Sequence, residues 1–338
     1  MRQMVITRHG GPEVIEPREA PDPTPGEGEI RIRVKAAGVN FADLLARLGL
    51  YPDAPKPPLV VGYEVSGYID AVGHRVTGHT VGDHVFALTR FGGYADCVAV
   101  PAAHAFAVPA GMSDAEAAAI PVNYLTAFIA LYRMANVAPG ETVLVHNAGG
   151  GVGIAATQLA RLRRARILGT ASAAKHDALR AFGVDHAIDY RHGTIERDVK
   201  RLTGGRGADV ILDSIGGASF LVSYKLLAPL GRLVMYGVSS IAPRERRSRW
   251  ATLNVMMRMP NFQALSLLNR NRGVFGLNLG HLWTESRQLT AAAEHLLEEF
   301  RADHLRPVIA RTFALEHAAD AHRCLHARAN IGKVVLTI

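Results

Sequence analysis

A short β-branched and leucine run, Val143-Leu-Val145, leads through His146-Asn-Ala148 directly into Gly149, Gly150, Gly151 and Gly153, and an alanine-rich stretch begins there. Strand, glycine turn and helix in that order define a βα unit of a parallel sheet, which restricts the fold more than any other segment of the chain. Such a turn needs glycine because backbone must approach a pyrophosphate closely. The helix N-terminus then offers unpaired N–H groups and a partial positive charge. The spacing is Ala148-x-Gly150-x-x-Gly153, with alanine in place of the usual first glycine. By itself the pattern is also that of a simple connecting turn, so its meaning depends on what surrounds it.

The surroundings continue the theme. Strand-type runs at 143–148, 166–171, 186–189, 209–213 and 232–236 alternate with helical segments near 151–164, 174–182, 194–202 and 218–227. That alternation predicts a doubly wound parallel sheet. The first 120 residues read differently. Glu29-Ile-Arg-Ile-Arg-Val-Lys35 alternates apolar and charged positions as a half-buried strand does, β-type runs recur to residue 88, and proline-rich loops fall at 21–25 and 52–58. This part is expected to form a twisted, partly closed antiparallel barrel. Residues 238–272 exceed an ordinary connection and are read as a lid or an interface. A β-type run at 274–277, helices at 287–300 and near 315–327, and a closing strand at 333–338 complete the chain. The expected organisation is a barrel domain from 1–124 and 280–338, with a dinucleotide-binding domain at 125–279 between them.

Composition narrows the function classes. Apolar residues make up 49% and charged residues 20% of the 338, the balance of a globular protein. No run is read as approaching the ~18 apolar residues of a membrane span, and the first residues lack the apolar core of a signal peptide. Cys97 and Cys324 alone exclude a disulfide framework or a cysteine-rich metal site, and a cytoplasmic setting is expected. The net charge of +8 is spread along the chain without a nucleic-acid-binding motif, so no DNA partner is expected. The exception is the dense run Arg244-Glu-Arg-Arg-Ser-Arg249, either a solvated surface stretch or a contact for an anionic partner such as a phosphate or lipid surface.

Further segments carry a family resemblance: Gly38-Val-Asn-Phe-Ala-Asp-Leu-Leu-Ala-Arg-Leu-Gly-Leu-Tyr-Pro52, Val122-Asn-Tyr-Leu-Thr-Ala127, Gly169-Thr-Ala-Ser-Ala-Ala-Lys-His-Asp-Ala-Leu179 and Asn330-Ile-Gly-Lys333. With the glycine loop, in this order, the chain resembles the medium-chain dehydrogenase/reductase superfamily over essentially its whole length. Within it the chain looks like the zinc-free quinone oxidoreductases, zeta-crystallin included, and most like the vesicle amine transport protein homologues. The resemblance implies a GroES-like catalytic domain from both chain ends, an inserted Rossmann domain, and a homodimer joined through an edge strand, with 274–277 a candidate.

The same resemblance assigns the chemistry. Zinc-dependent members place metal ligands where this chain has Asn40, Tyr63 and Val122, none of them a thiolate, imidazole or carboxylate; Glu64 alone cannot hold the ion, so no metal is expected. Thr170-Ala-Ser172 ends the second strand without the carboxylate that binds an NAD ribose, and Lys175 follows. Lys175, Tyr190 and Arg328 match the positions that grip the 2′-phosphate in quinone oxidoreductases, which implies NADPH. Gly150, Gly151, Val152 and Gly153 would cradle the pyrophosphate, with Ser172 beside the ribose. Asn40, Thr126, Gly237 and Val238 would lie near the nicotinamide. Asn40, Tyr51 and Tyr63 are the candidate donors or proton relays toward the negative charge that develops on a reduced substrate. For Thr126 a capping hydroxyl at a helix start is the plain structural alternative, and His146 is read as shaping the glycine loop.

The function so implied is NADPH-dependent, zinc-independent reduction of quinones or α,β-unsaturated carbonyls, small-molecule substrates. Two alternatives stand beside it. One is a trans-2-enoyl thioester reductase on the same architecture. The other is a non-catalytic nucleotide-binding protein, membrane-associated through 244–249.

Overall fold

The structure, a computed structural model, describes residues 1–192 and 194–338. The chain folds as two units, one of Met1–Leu125, Arg244–Arg247 and Gly280–Ile338, the other of Thr126–Pro243 and Ser248–Leu279. Arg244–Arg247 thus belongs with the chain ends although it lies inside the stretch 125–279.

In the second unit the strands His186–Asp189, Arg166–Ala171, Thr142–Val145, Ala208–Asp213, Leu227–Met235 and Gly273–Gly276 lie side by side in that order. Every neighbouring pair is parallel. This is the doubly wound Rossmann sheet. Its central strand Thr142–Val145 is buried throughout, pairing Val143 with Ile167 on one side and Val210 on the other. A strand covered on both faces reads as a continuous apolar run, which is why this one was legible. The helices Gly151–Leu162, His176–Ala181, Ile195–Leu202 and Ala218–Lys225 alternate with the strands. Ile195–Leu202 carries Glu196 and Asp198 in its first turn and Lys200 and Arg201 in its last, both favourable to its dipole. Leu144, Leu168, Ile211 and Leu233 form part of the core.

The long segment before the last strand contains two helices, Arg249–Met257 and Ala264–Arg270. Neither has a fully buried residue, and Trp250, Met257, Leu265 and Leu268 are each exposed by 70% or more. The order of strands leaves Gly273–Gly276 at an open edge of the sheet.

The first unit is the GroES-like barrel. Its main sheet runs Ile309–Ala314, Lys333–Thr337, Glu29–Val39, Glu64–Val72, His84–Leu88, Ala105–Ala107, and Cys97–Pro101 also pairs with Glu29–Val39. Within the first 120 residues every strand pair is antiparallel, as expected, and the one parallel pair among this unit's described residues lies near the C-terminal end. Ile309–Ala314 pairs parallel to Lys333–Thr337, with the helix Ala318–His326 between them in sequence. The alternation of Glu29–Val39 gives way to continuous burial from Ala36 onward.

One sequence reading is corrected. The helical stretch Asp114–Met134, 21 residues with mean hydropathy 1.2, is long and apolar enough to cross a membrane by length and composition. Most of it (78% of the window) is buried within the protein, as a core helix is. Near its end the hydrogen bonding shifts to a π-helical register over Ile129–Met134, where Ala135 N–H reaches Ala130 O at 2.9 Å.

Candidate functional site

In the first unit the candidate residue Asn40 belongs to a buried polar cluster. Asn40 precedes the helix Phe41–Arg47, and its backbone N–H donates to Asp43 Oδ2 at 2.7 Å. Its side chain is committed at both ends. Lys333 Nζ donates to Asn40 Oδ1 at 2.6 Å, and Asn40 Nδ2 donates to Glu64 Oε1 at 2.9 Å and more weakly to Gly38 O at 3.4 Å. Lys333 is also ion-paired with Glu64 Oε1, while Glu64 Oε2 accepts from Val122 N–H at 2.7 Å. Glu64 is fully buried and Lys333 only 4% exposed. Gly38 makes the arrangement possible: a Cβ there would lie 2.4 Å from Glu64 Oε1 and 2.7 Å from Ala118 O.

The chemistry of this cluster bears on whether zinc could be held here. Zinc would require thiolate, imidazole or carboxylate ligands, and the matching positions hold Asn40, Tyr63 and Val122. Of the two buried carboxylates here, Glu64 already holds an ammonium and two N–H donors, and Asp43 accepts from the N–H groups of Asn40 and Gly62 and from Tyr94 Oη. The residues do not fit a catalytic zinc ion. Among the described residues no group of three or more His, Cys, Asp or Glu is placed to hold a metal.

A second chain of buried groups supports the first. Asp43 also accepts from Gly62 N–H at 3.0 Å and from Tyr94 Oη at 3.0 Å. Arg47 Nε donates to His322 Nδ1 at 3.2 Å, which leaves the proton on Nε2 to donate to Tyr94 Oη at 3.1 Å. Burial pushes the Asp43 carboxyl up to about 7, opposed by its hydrogen bonds. Burial, with Arg47 adjacent, holds His322 well below the usual imidazole range, and burial brings Arg47 down to about 10. Arg47 Nη1 reaches Gly10 O at 2.6 Å and Glu245 O at 3.1 Å, so the basic stretch 244–247 is fastened by its backbone. The side chain of Arg246 pairs with Glu13 at 3.0 Å. The resemblance named none of Asp43, Arg47, Tyr94, Lys333 and His322 as site residues. The spacing Asn40-x-x-Asp43 before an apolar run was the one available signal.

Tyr51 and Tyr63 meet edge to face with centroids 6.0 Å apart, and Tyr63 lies 5.3 Å from Phe91. The Tyr63 hydroxyl is buried with no hydrogen-bond partner among the described residues. Burial, then the nearby Asp43 and Tyr51, raise its pKa, so it remains a protonated donor at neutral pH.

The glycine turn lies in the second unit. Its left-handed residue is Asn147, φ 54°, and not a glycine; asparagine tolerates that region. Gly153 is required by close approach, since a Cβ would sit 2.5 Å from Asn147 O. The helix Gly151–Leu162 begins after Gly150 with no side-chain cap and no acidic residue in its first turn, so the N–H groups around Gly151, Val152 and Gly153 remain suited to an anion. The Lys175 side chain runs past this turn: a Cβ on Gly149 would lie 3.3 Å from Lys175 Cδ and 4.0 Å from Nζ. Lys175 ends the short helix Ala173–Lys175, which Ser172 precedes. Tyr190 follows the adjacent strand, where Asp189 pairs with Ala171, and is 39% exposed. Gly237 and Val238 follow Leu227–Met235 and run beside Ser214; Ser239 N–H reaches Ser214 O at 2.9 Å. Thr126 is buried within the helix Pro121–Phe128, so it is not the helix-start cap considered from sequence. Arg328 belongs to the first unit, with φ 53°, just beyond the helix Ala318–His326.

Comparison with known proteins agrees with both units. Residues 26–110 match the family model of the alcohol dehydrogenase GroES-like domain, and residues 182–336 that of the zinc-binding dehydrogenases. The chain belongs to the medium-chain dehydrogenase/reductase superfamily and is an oxidoreductase of that type. Over 338 residues it is 40% identical to the synaptic vesicle membrane protein VAT-1 homolog of Danio rerio, covering 99% of this chain and 70% of that one. Its structure is similar to that of Escherichia coli quinone oxidoreductase complexed with NADPH (TM-score 0.88, 29% identity, 100% of both chains). It is also similar to the CurK enoyl reductase (TM-score 0.85, 28% identity, 99% of both chains).

Proposed function

We propose that this protein is an NADPH-dependent reductase of quinones or α,β-unsaturated carbonyls that works without zinc. The observation that supports the reading most is the buried cluster of Lys333, Glu64 and Asn40, in which the Glu64 carboxylate is already engaged by an ammonium and two N–H donors. NADPH supplies the hydride when bound. The uncapped helix after Gly150 would take its pyrophosphate, and Lys175, with Tyr190 and Arg328, its 2′-phosphate. Ser172 would meet the ribose, and Thr126, Gly237 and Val238 the nicotinamide end. Asn40 orders this region more than it donates to substrate, because both ends of its amide are engaged. The proton donors toward the acceptor oxygen are then Tyr51 and Tyr63, the latter with a buried hydroxyl that lacks a partner among the described residues.

The same reading includes a cytoplasmic homodimer joined through the open edge strand Gly273–Gly276. The similarity to an enoyl reductase supports a second reading, in which the acceptor is an enoyl thioester. NADPH oxidation, followed by its absorbance against quinones, enones and enoyl thioesters, with and without a chelator, tests both. Turnover of the first two classes, unaffected by chelator, is expected. Tight NADPH binding without turnover of any class would overturn the enzyme reading in favour of a nucleotide-binding protein, and vesicle cosedimentation with and without the 244–249 arginines would then be the decisive comparison.

A further inference from the structure

The C-terminal ends of three parallel strands in the second unit enclose a polar chain that the functional reading above does not use. Asp213, fully buried, accepts from Ser223 Oγ at 2.7 Å and Ser219 Oγ at 2.7 Å on one oxygen, and from Ile215 N–H at 2.8 Å on the other. Because the single hydroxyl proton of Ser223 goes to Asp213, its oxygen accepts from His146 Nε2 at 3.0 Å. That fixes the Nε2–H form of the ring and leaves Nδ1 as an acceptor for the Thr170 hydroxyl, 3.2 Å away. Thr170 Oγ1 in turn accepts the N–H of Asn147 at 3.3 Å, and Thr170 O accepts the N–H of Ala148 at 3.1 Å. Each proton in this chain points one way, from the turn toward Asp213. His146, Thr170 and Ser223 are at most 1% exposed, so water does not substitute for a lost link. Burial holds His146 below the ordinary imidazole range, consistent with one ring proton.

We propose that His146 and Thr170 are positioning residues for the cofactor turn, holding Asn147 in its left-handed conformation through a one-directional hydrogen-bond chain anchored on Asp213. The unusual alanine at position 148 is then explained. The conformational demand of the turn falls on Asn147 and is met by Thr170 and His146, so no glycine is needed one residue later. The proposal rests on the reading that this turn receives the NADPH pyrophosphate.

The test uses the full-length protein and NADPH fluorescence titration. Thr170→Val keeps the shape of the side chain and removes both of its side-chain links; about tenfold weaker NADPH binding is expected. Thr170→Ser keeps the hydroxyl and should restore binding to within about twofold of wild type. His146→Gln is a second, independent break at the centre of the chain. Nitrogen-15 spectra of the wild-type histidines should show His146 protonated on Nε2 only. A protonated Nδ1, or Thr170→Val binding NADPH as wild type does, would overturn the positioning role. Wild-type protein without affinity for NADPH would instead overturn the cofactor reading on which the proposal stands.

Discussion

Replacing Lys333 by methionine puts the central cluster to its most direct test. The substitution keeps an unbranched apolar stem of similar length and removes the ammonium that Glu64 and Asn40 share. Two unit charges about 3 Å apart attract by about 5 kcal/mol at an effective dielectric of about 20. Glu64 is fully buried, so water cannot replace the lost partner. Breaking such a pair from one side costs about 3–5 kcal/mol. Asn40 Oδ1 loses its donor as well, worth roughly 1 kcal/mol more. Glu64→Gln alone should be costly for the mirror reason, since it strands the lysine. The double variant removes both charges, and should be less destabilised than the sum of the singles by at least about 2 kcal/mol. Urea unfolding followed by circular dichroism and by fluorescence, with coincident transitions required, measures each value. A cost below about 1 kcal/mol for Lys333→Met, or simple additivity in the double variant, would refute the argument that this lysine compensates Glu64.

Three further outcomes are expected. Lys175→Ala should weaken NADPH binding by roughly 10- to 150-fold, the worth of a charge-assisted hydrogen bond, and NADH binding far less; equal losses by titration would remove Lys175 from the phosphate site. Tyr63→Phe deletes a buried hydroxyl that has no partner among the described residues, so stability should hold or rise slightly while acceptor reduction slows if Tyr63 delivers the proton; unchanged turnover with every acceptor excludes that role. Asp43, with its carboxyl pushed up to about 7 from an ordinary value of 3.8, contributes stability that is complete below the ordinary value and is lost as pH rises toward 7. Asp43→Asn should remove that loss, and urea midpoints whose pH slope between about 4 and about 7 matches wild type would contradict it.

What the sequence disclosed and what it hid follow from the range of the interactions. The central Rossmann strands were legible because Thr142–Val145, Arg166–Ala171 and Ala208–Asp213 are short runs buried almost throughout, and the helices between them because their apolar spacing has a sheet to face. Arg249–Met257 and Ala264–Arg270 were missed for the opposite reason. With no fully buried residue between them, they show no wide core-facing stripe: Leu267 packs partly against the core, while Trp250, Leu253, Met256, Met257, Leu265 and Leu268 are exposed. The parallel pairing of Ile309–Ala314 was hidden too, since its residues, Arg311 and Thr312 among them, give no clean alternation. Within the candidate site, Asn40 and the tyrosines were reached by resemblance. Their supports were not, because Lys333 lies 293 residues from Asn40 and His322 lies 275 from Arg47. Local pattern carries no information about such pairs. The glycine pattern itself drew attention to positions 149–153, whereas the left-handed residue is Asn147.

The lysine cluster also bears on which acceptors the site can serve. A metal ion with an open coordination position meets the charge that grows on an acceptor oxygen directly, as a Lewis acid. The Lys333 ammonium cannot do so, because it is spent on Glu64 and Asn40 and only 4% exposed. On the proposed reading, the growing charge is met by neutral hydroxyl donors alone, and Tyr63 is held protonated by its burial. Neutral donors stabilise an oxyanion less than a metal does, so the shortfall must be made up by the substrate. A quinone or an enone spreads the incoming charge through its conjugated system, whereas an isolated ketone concentrates it on one oxygen. On that reading the cluster favours conjugated acceptors over simple carbonyls.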